Sequence, residues 1–450
     1  MYGMPLAQAL LFLISAVILI LVTQWRHFHP FPAIVAMASV FGFIAGYPTA
    51  QLGNLFGSGF SEKIYSPGLA IVAAALIAGL AEGTAASDRL TATIARWRLR
   101  RKGLGSNWMA GLWGLIGGIG ASPATAFALL TPLLRPIGGG TVRREDNTIA
   151  LALAISASHG LILLTPVPIA AVAILDAEWD RVALFGVPLA ILLVAFAAVF
   201  AGWLPAVKTA PEPLPAAERK GGSAIVLTLA VAAPLSLLLV QSLGDIPSEP
   251  LGGGPARELV LGIGRPLILF LVGVGIMVLG QPRQSLSLLG DAAWTGRIFG
   301  NVAGILLTVC AAGGLQRLCQ QTGMAEMVGE HLLGWHVGAL GVLVPFLVAA
   351  AMKTLQGSSL VAAIATAGMV QPILLPLGLG DANGKALAAL AIGAGAMTVC
   401  HINDEFFWLV SASAGLRPLR GIAAISLGTL LQGIIAATAL VMLSLLLGHS

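Results

Sequence analysis

The chain has 450 residues, of which 57% are hydrophobic and only 10% charged, with a mean hydropathy of +0.93. A soluble chain carries about a quarter charged residues, so this composition excludes a soluble globular protein. The net charge of +5 does not point to nucleic acid, because the basic residues gather in short loops, where they set membrane topology.

Apolar runs of about twenty residues, enough for a helix to cross about 30 Å of hydrocarbon, fall at about 4–23, 31–48, 67–84, 106–137, 147–175 and 182–206. The first, Leu6 to Val22, lacks a basic n-region and an A-x-A cleavage site and is followed by Arg26. It is expected to be a retained span rather than a signal peptide. A polar, proline-containing stretch, KTAPEPLPAAERKGG, then separates these runs from six more at about 223–243, 257–280, 297–316, 337–378, 384–414 and 420–447. The expected division is a first repeat over 1–206, a cytoplasmic linker over 207–222 and a second repeat over 223–450.

The basic residues orient the chain. Arg89, Arg96, Arg98, Arg100, Arg101 and Lys102 place the segment 88–102 in the cytoplasm. Leu90, Ile94 and Trp97 recur at helical spacing opposite those arginines, which suggests a short helix on the membrane surface. Arg135, Arg143 and Arg144 are also cytoplasmic, although about thirty apolar residues lie between the two clusters. A single span cannot return to the side it left, so 106–137 is expected to be a re-entrant hairpin broken around Ala121-Ser122-Pro123, or two thin helices. Parity closes along the rest of the chain only if 337–378 is a second hairpin, entering from the opposite side. The expected fold is therefore an all-α polytopic membrane protein of two inverted-topology repeats. Each would have about five transmembrane helices and one re-entrant helical hairpin. A weak internal likeness between 68–90 and 304–328, and one histidine in a matching run of each half, His159 and His401, fit that repeat.

Irregular backbone is tolerated in lipid only where it faces protein or water, so interruptions in apolar runs locate a site. Four stand out: Ala121-Ser122-Pro123, Thr165-Pro166-Val167-Pro168, Gln356-Gly357-Ser358-Ser359 and His401-Ile402-Asn403-Asp404. Half-helix N-termini at such breaks offer free N–H groups to an anion. Ser122, Thr125, Thr165, Lys353, Gln356, Gly357, Ser358, Ser359 and Asn403 are the expected substrate-binding residues. His159, His401, Asp404 and Glu405 are the expected proton-coupling residues. A charge at the bilayer centre costs about 2.5–3.5 kcal/mol, so Lys353 needs a reason. It either attracts a substrate carboxylate or pairs with Asp404 to hold the hairpin to the neighbouring span. The histidines and hydroxyls could equally serve as hydrogen-bonding groups within the bundle. Glu82 is expected at the interface. Cys310, Cys319 and Cys400 are too few for a disulfide framework.

HINDEFFWLV (401–410), MKTLQGSSLVAAIATAG (352–368) and AGILLTVCAAGGLQRLCQQTG (303–323) resemble the gluconate permease family of proton symporters, within the ion-transporter superfamily. The first is similar to the family's H-V-N-D-S-G-F-W pattern and QGSS to its Q-G-S-A hairpin tip, with Lys353 in the place of a usual arginine. In the first half, SHGLILLTPVPIAA (158–171) is similar to the family's histidine followed by P-P-T-P-G-P. The departures are Ala124, where the family tends to have a carboxylate, Glu405 in place of a small residue, and Leu163 and Leu164 before Thr165. The resemblance implies proton-coupled symport of a small hydroxylated organic anion such as a sugar acid. It also implies a homodimer in the cell membrane (a bacterial inner membrane), with a scaffold domain and a mobile transport domain working by an elevator motion. Neither a cofactor nor a bound metal is implied. Sodium coupling, with a carboxylate or amino acid as cargo, is the alternative within the superfamily. An intramembrane enzyme using His401 and Asp404 is the alternative of another class, and no G-x-S-x-G or H-E-x-x-H spacing speaks for it.

Overall fold

The computed structural model describes residues 4–25, 28–100, 105–120, 122–137, 144–204, 222–333 and 340–448, and these are helical with short connections. The first half opens with α1 (Met4–Trp25) and α2 (Pro30–Ile44). Next, α3 (Thr49–Lys63) passes through a π-helical turn, interrupted at Ser66-Pro67, into α4 (Leu69–Gly83). It continues with α5 (Ala86–Arg100), α6 (Ser106–Gly117), α7 (Pro123–Ile137), α8 (Arg144–Leu161), α9 (Pro166–Leu175) and α10 (Trp179–Trp203). The second half begins with α11 (Ala224–Asp245), then α12 (Pro255–Ile263) and α13 (Pro266–Gly280), which are bent by 56° at their junction. After these come α14 (Pro282–Leu289), α15 (Ala292–Gln320), α16 (Met324–Leu333), α17 (Leu343–Gln356), α18 (Ser359–Val370), α19 (Ala382–Ala396) and α20 (Glu405–Ala414). Finally α21 (Pro418–Gly421) leads through a π turn into α22 (Leu427–Leu446).

Among the described residues, seven helices are long and apolar enough to cross a membrane, or eight if the bent pair forms one span. The ten spans expected from the apolar runs are not all of that kind. The run at 31–48 yields only the fifteen-residue α2, roughly 22 Å at 1.5 Å per residue. The run at 384–414 is split into α19 and α20. The span expected at 67–84 is instead the second part of a helical stretch that starts at Thr49. Glycine and polar residues hide Thr49–Lys63 from a hydropathy pattern. The segment is helical because it packs on α15, so closely that a Cβ on Gly59 would lie 2.3 Å from the Gly313 carbonyl oxygen. The segment 88–102 is helical to Arg100 but rests on α7 and α11, with Leu90 and Ile94 against the core and Trp97 exposed. Ala121, residues 207–221 of the expected linker, 337–339 of the second expected hairpin, Arg101, Lys102 and Arg143 lie outside the described residues, as do the side chains of Arg98, Arg100 and Arg144.

Packing partners recur when the halves are exchanged. α6 packs on α8 as α17 packs on α19, and α10 on α8 as α22 on α19. Across the halves, α9 packs on α18 as α20 packs on α7, and α9 on α19 as α20 on α8. The crossing of α8 and α19 is made by glycines. A Cβ on Gly393 would meet the Gly160 carbonyl oxygen at 1.9 Å, and one on Gly160 would meet that of Gly393 at 2.7 Å. The two interrupted helices can therefore approach backbone to backbone just before their breaks. A second group gathers around α15, with α3, α2 and α4 packed on it and α13 and α11 beyond α4.

Gly393→Ala forces this crossing apart. Overpacking of this kind costs about 1–3 kcal/mol, so thermal unfolding in detergent will show a clear loss of stability. Gly275→Ala, on a part of α13 with nothing within 4 Å of the new methyl, will show none.

Candidate functional site

The four interruptions are real ends of helices. α6 stops at Gly117 and α7 starts at Pro123; α8 stops at Leu161 and α9 starts at Pro166; α17 stops at Gln356 and α18 starts at Ser359; α19 stops at Ala396 and α20 starts at Glu405. Each end leaves backbone groups that need partners away from water.

At the second tip, Gly357 ends α17 with φ +78°, and a Cβ there would be 2.3 Å from the Asn403 carbonyl oxygen. Conformation and close approach thus both require glycine. Ser358 caps α18 by accepting from the Val361 N–H at 3.3 Å. The last carbonyls of α17 are satisfied by the facing break. His401 donates from Nε2 to the Thr354 carbonyl at 2.7 Å, and Asn403 donates to those of Thr354 at 3.0 Å and Leu355 at 3.2 Å. The Lys353 ammonium donates to the Gly357 carbonyl and pairs with the Asp404 carboxylate. These side chains are 3% and 8% exposed, which makes the pair a buried one. Asp404 also caps α20, accepting from the Phe406 N–H at 2.8 Å, and accepts a hydrogen bond from the Cys400 thiol at 3.2 Å. Lysine at a helix C-terminus and carboxylates at a helix N-terminus are each at the end that suits their sign. Asn403, His401 and Lys353 therefore hold the tip against the break. The break is anchored in turn to the last helix, with Cys400 N–H on the Thr429 hydroxyl at 3.0 Å and the Ser426 hydroxyl on the Cys400 carbonyl at 2.6 Å.

One group at this tip has no use in that scaffold. Gln356 is fully buried, yet neither its amide nitrogen nor its oxygen has a hydrogen-bond partner among the described residues. Burying such an amide without partners is costly, so it is the group at this tip with unused hydrogen-bonding capacity.

The first tip is built differently. Ser122 is exposed and donates to the Thr125 hydroxyl at 2.9 Å, and Thr125 lies 3.3 Å from the Ser66 hydroxyl in the interruption between α3 and α4. Phe127 of α7 meets Phe406 of α20 edge to face, with centroids 5.9 Å apart. The first tip thus adjoins the second break. Glu82 sits half-exposed in an ion pair with Arg135 at the end of α7. Thr165 turns its hydroxyl back onto the end of α8, donating to the His159 and Ile162 carbonyls at 2.8 Å, and so closes that helix. His159 is buried near the end of α8. The structure thus gathers Lys353, Gln356, Gly357, Ser358, Ser359, His401, Asn403, Asp404 and Glu405 around one meeting point. Ser122 and Thr125 stand beside it, and Thr165 and His159 belong to the other break.

Sequence reasoning missed the partners of Glu405. Lys63 at the end of α3 pairs with it at 3.1 Å, and Gln316 of α15 donates to its other oxygen at 3.3 Å. The available signal was Glu405 itself, since an added carboxylate at such depth needs a counter-charge.

Long apolar helices around paired charges and an orphaned amide, set at facing helix breaks, define a multi-pass membrane protein with a polar site inside the bundle. The chain belongs to the GntP family of permeases, whose family model matches residues 7–446. It is 26% identical to the gluconate permease of Pseudomonas aeruginosa over 436 residues, 91% of this chain and 92% of that one. It is 27% identical to the D-serine transporter DsdX of Escherichia coli K12 over 429 residues, 90% of each chain. Among solved structures it is similar to the Alcanivorax borkumensis YdaH transporter, at 17% identity and a TM-score of 0.37 over 98% of each chain.

Lys353→Met leaves the Asp404 carboxylate buried and alone, and breaking a buried pair in this way costs about 3–5 kcal/mol. Lys353→Met combined with Asp404→Asn removes both charges and will be more stable than Lys353→Met alone. Thermal unfolding of the two variants measures the difference, and equal loss in both would mean that the charges do not depend on each other.

Proposed function

We propose that this protein is a secondary active transporter that carries a small hydroxylated organic anion, such as a sugar acid, across the bacterial inner membrane together with a proton. The observation that carries this reading is a buried lysine–carboxylate pair, Lys353 and Asp404, holding a helix tip to a facing broken helix, with the Gln356 amide at that tip unpartnered among the described residues. Membership of a permease family, with a gluconate permease and a D-serine transporter among the relatives, supports transport over chemistry. In this reading the N–H groups at Ser358 and Ser359, the Gln356 amide, Asn403, Ser122 and Thr125 contact the solute, with Gly357 giving it room. Lys353 supplies positive potential, Thr165 shapes the other break, and the proton is carried among His159, His401, Asp404 and Glu405. One proton moving with one monocarboxylate carries no net charge, so the pH difference rather than the membrane potential drives the uptake.

The same reading takes residues 1–206 and 223–450 as inverted repeats joined by a cytoplasmic linker at 207–222, with re-entrant hairpins at about 106–137 and 337–378. The exchange symmetry of the packing partners supports it. It also has the breaks and tips move as one body against the helices around α15, in a homodimer. Support for a moving body comes from an asymmetry. α4 packs on α7 and α15 on α20, while the exchanged pairs, α15 with α18 and α4 with α9, have no comparable packing. A body that slid across the membrane would trade the first set of contacts for the second.

Proteoliposomes holding the purified protein will take up labelled gluconate when the inside is made alkaline, and a protonophore will stop the uptake. Uptake driven by a sodium gradient without a pH gradient would assign coupling to sodium. No uptake of gluconate, L-idonate or D-serine under either gradient would contradict transport of this substrate class.

A further inference from the structure

The site contains two lysine–carboxylate pairs, and they are not equivalent. Lys353 and Asp404 are sealed, and each has further partners within the protein: the Gly357 carbonyl for the lysine, and the Cys400 thiol and the Phe406 N–H for the carboxylate. Lys63 and Glu405 are 12% and 14% exposed, and among the described residues the partners of the Glu405 carboxylate are Lys63 and Gln316. Lys63 also has Glu62 at 3.5 Å, but that carboxylate is shared with Arg317 at 3.2 Å and faces outward. Three residues after Lys63, the Ser66 hydroxyl meets Thr125 of the first tip. The Lys63 ammonium is thus largely buried but less sealed than Lys353, and it shares Glu405 with the Gln316 amide.

Resting on the transport reading above, we propose that in this state Lys63 is the group that binds the solute's carboxylate, and that Glu405 is its exchangeable counter-ion and takes up the coupled proton. With both pairs intact the site is neutral. An anion added to it would leave an uncompensated negative charge inside the membrane, which is strongly disfavoured. If a proton from the same side joins a Glu405 carboxylate oxygen, the contact to Lys63 opens, the ammonium keeps its three protons, and the solute carboxylate replaces Glu405 as its partner. The site is neutral again with one proton and one monoanion bound. Release reverses each step: the solute leaves Lys63, Glu405 loses its proton and the pair re-forms. Coupling then follows from charge balance alone.

The groups able to bias that proton are few. α3 presents Lys63 and, behind it, Glu62; α15 presents Gln316, with Arg317 directed to Glu62. The break itself supplies His401, Asp404 and Cys400, α17 supplies Lys353, and α7 presents the Phe127 ring to Phe406. α8, which also packs on α20, carries His159 and a Glu145 paired with Arg420. Because Lys63 belongs to the helices around α15 and Glu405 to the broken helices, the same exchange also unties the two groups.

The test is proton uptake on binding, measured on the full-length protein in nanodiscs in weak buffer with a pH-indicator dye and gluconate as the probe. The wild type will take up about one proton per gluconate, and its dissociation constant will rise about tenfold per pH unit once Glu405 is ionised. Glu405→Gln will bind gluconate with no proton uptake and less than about twofold change per pH unit. Lys63→Gln will weaken binding by at least about tenfold. Lys63→Gln combined with Glu405→Gln removes both charges together and so guards against misfolding of the single variants. It will unfold at near the wild-type temperature, bind weakly and take up no proton. A Glu405→Gln protein that still takes up one proton per gluconate, or a double variant with wild-type affinity and proton uptake, overturns this assignment and leaves the transport reading standing. A wild type that neither binds nor transports gluconate, L-idonate or D-serine overturns both.

Discussion

A lysine sealed inside a membrane protein must have a carboxylate within reach, and the Lys353–Asp404 pair meets that need. The consequence is geometric. Lys353 lies in the last turn of α17 and Asp404 at the cap of α20, so pairing them brings a helix C-terminus and a helix N-terminus together and leaves two breaks facing each other. Gly357 lets the backbones touch, and Asn403 and His401 then satisfy the carbonyls that α17 leaves open. The charge pair fixes where the irregular backbone goes, and the irregular backbone is what gives the bundle polar groups to offer.

From that point outward the two halves are treated alike in packing and unlike in chemistry. Gly160 and Gly393 bring α8 and α19 into contact just before their interruptions. The break after α19 holds histidine, asparagine and two carboxylates; the break after α8 holds Thr165 turned back onto the end of α8. The first tip carries Ala124 rather than a carboxylate, and its hydroxyls reach to Ser66. The second break carries Glu405 beside Asp404, and Lys63 answers Glu405 from the other group of helices. The polar site is therefore lopsided, with a sealed pair that positions the second tip and a more accessible pair on the seam between two groups of helices.

Much of this was legible in the sequence. Hydropathy gives a membrane protein directly, because apolar runs of about twenty residues have few other uses. The breaks were visible because proline, glycine and serine stand out in apolar text, and Lys353 and Asp404 were visible because charges there are expensive. Thr49–Lys63 was not legible: its glycines and polar residues lower the hydropathy, and it is helical because Gly59 and Gly313 allow α3 to nest against α15. With that helix hidden, Lys63 was hidden too. The orphaned amide of Gln356 is a property of packing, and no spacing rule announces it. The short α2 and the divided run that becomes α19 and α20 show the same limit, since composition marks an apolar stretch but neighbours decide where its helix stops.

The most direct test of the central claim, that the second tip and the facing break form one body, is a pair of distances measured by pulsed electron paramagnetic resonance. Spin labels would be placed on α18 and α20 in one variant and on α18 and α15 in another. The three native cysteines are buried and will not compete for the label. The account predicts that the first distance stays single and unchanged when gluconate and a low pH are added, while the second shifts or splits into two populations. A first distance that broadens or lengthens, with the second held constant, would contradict it.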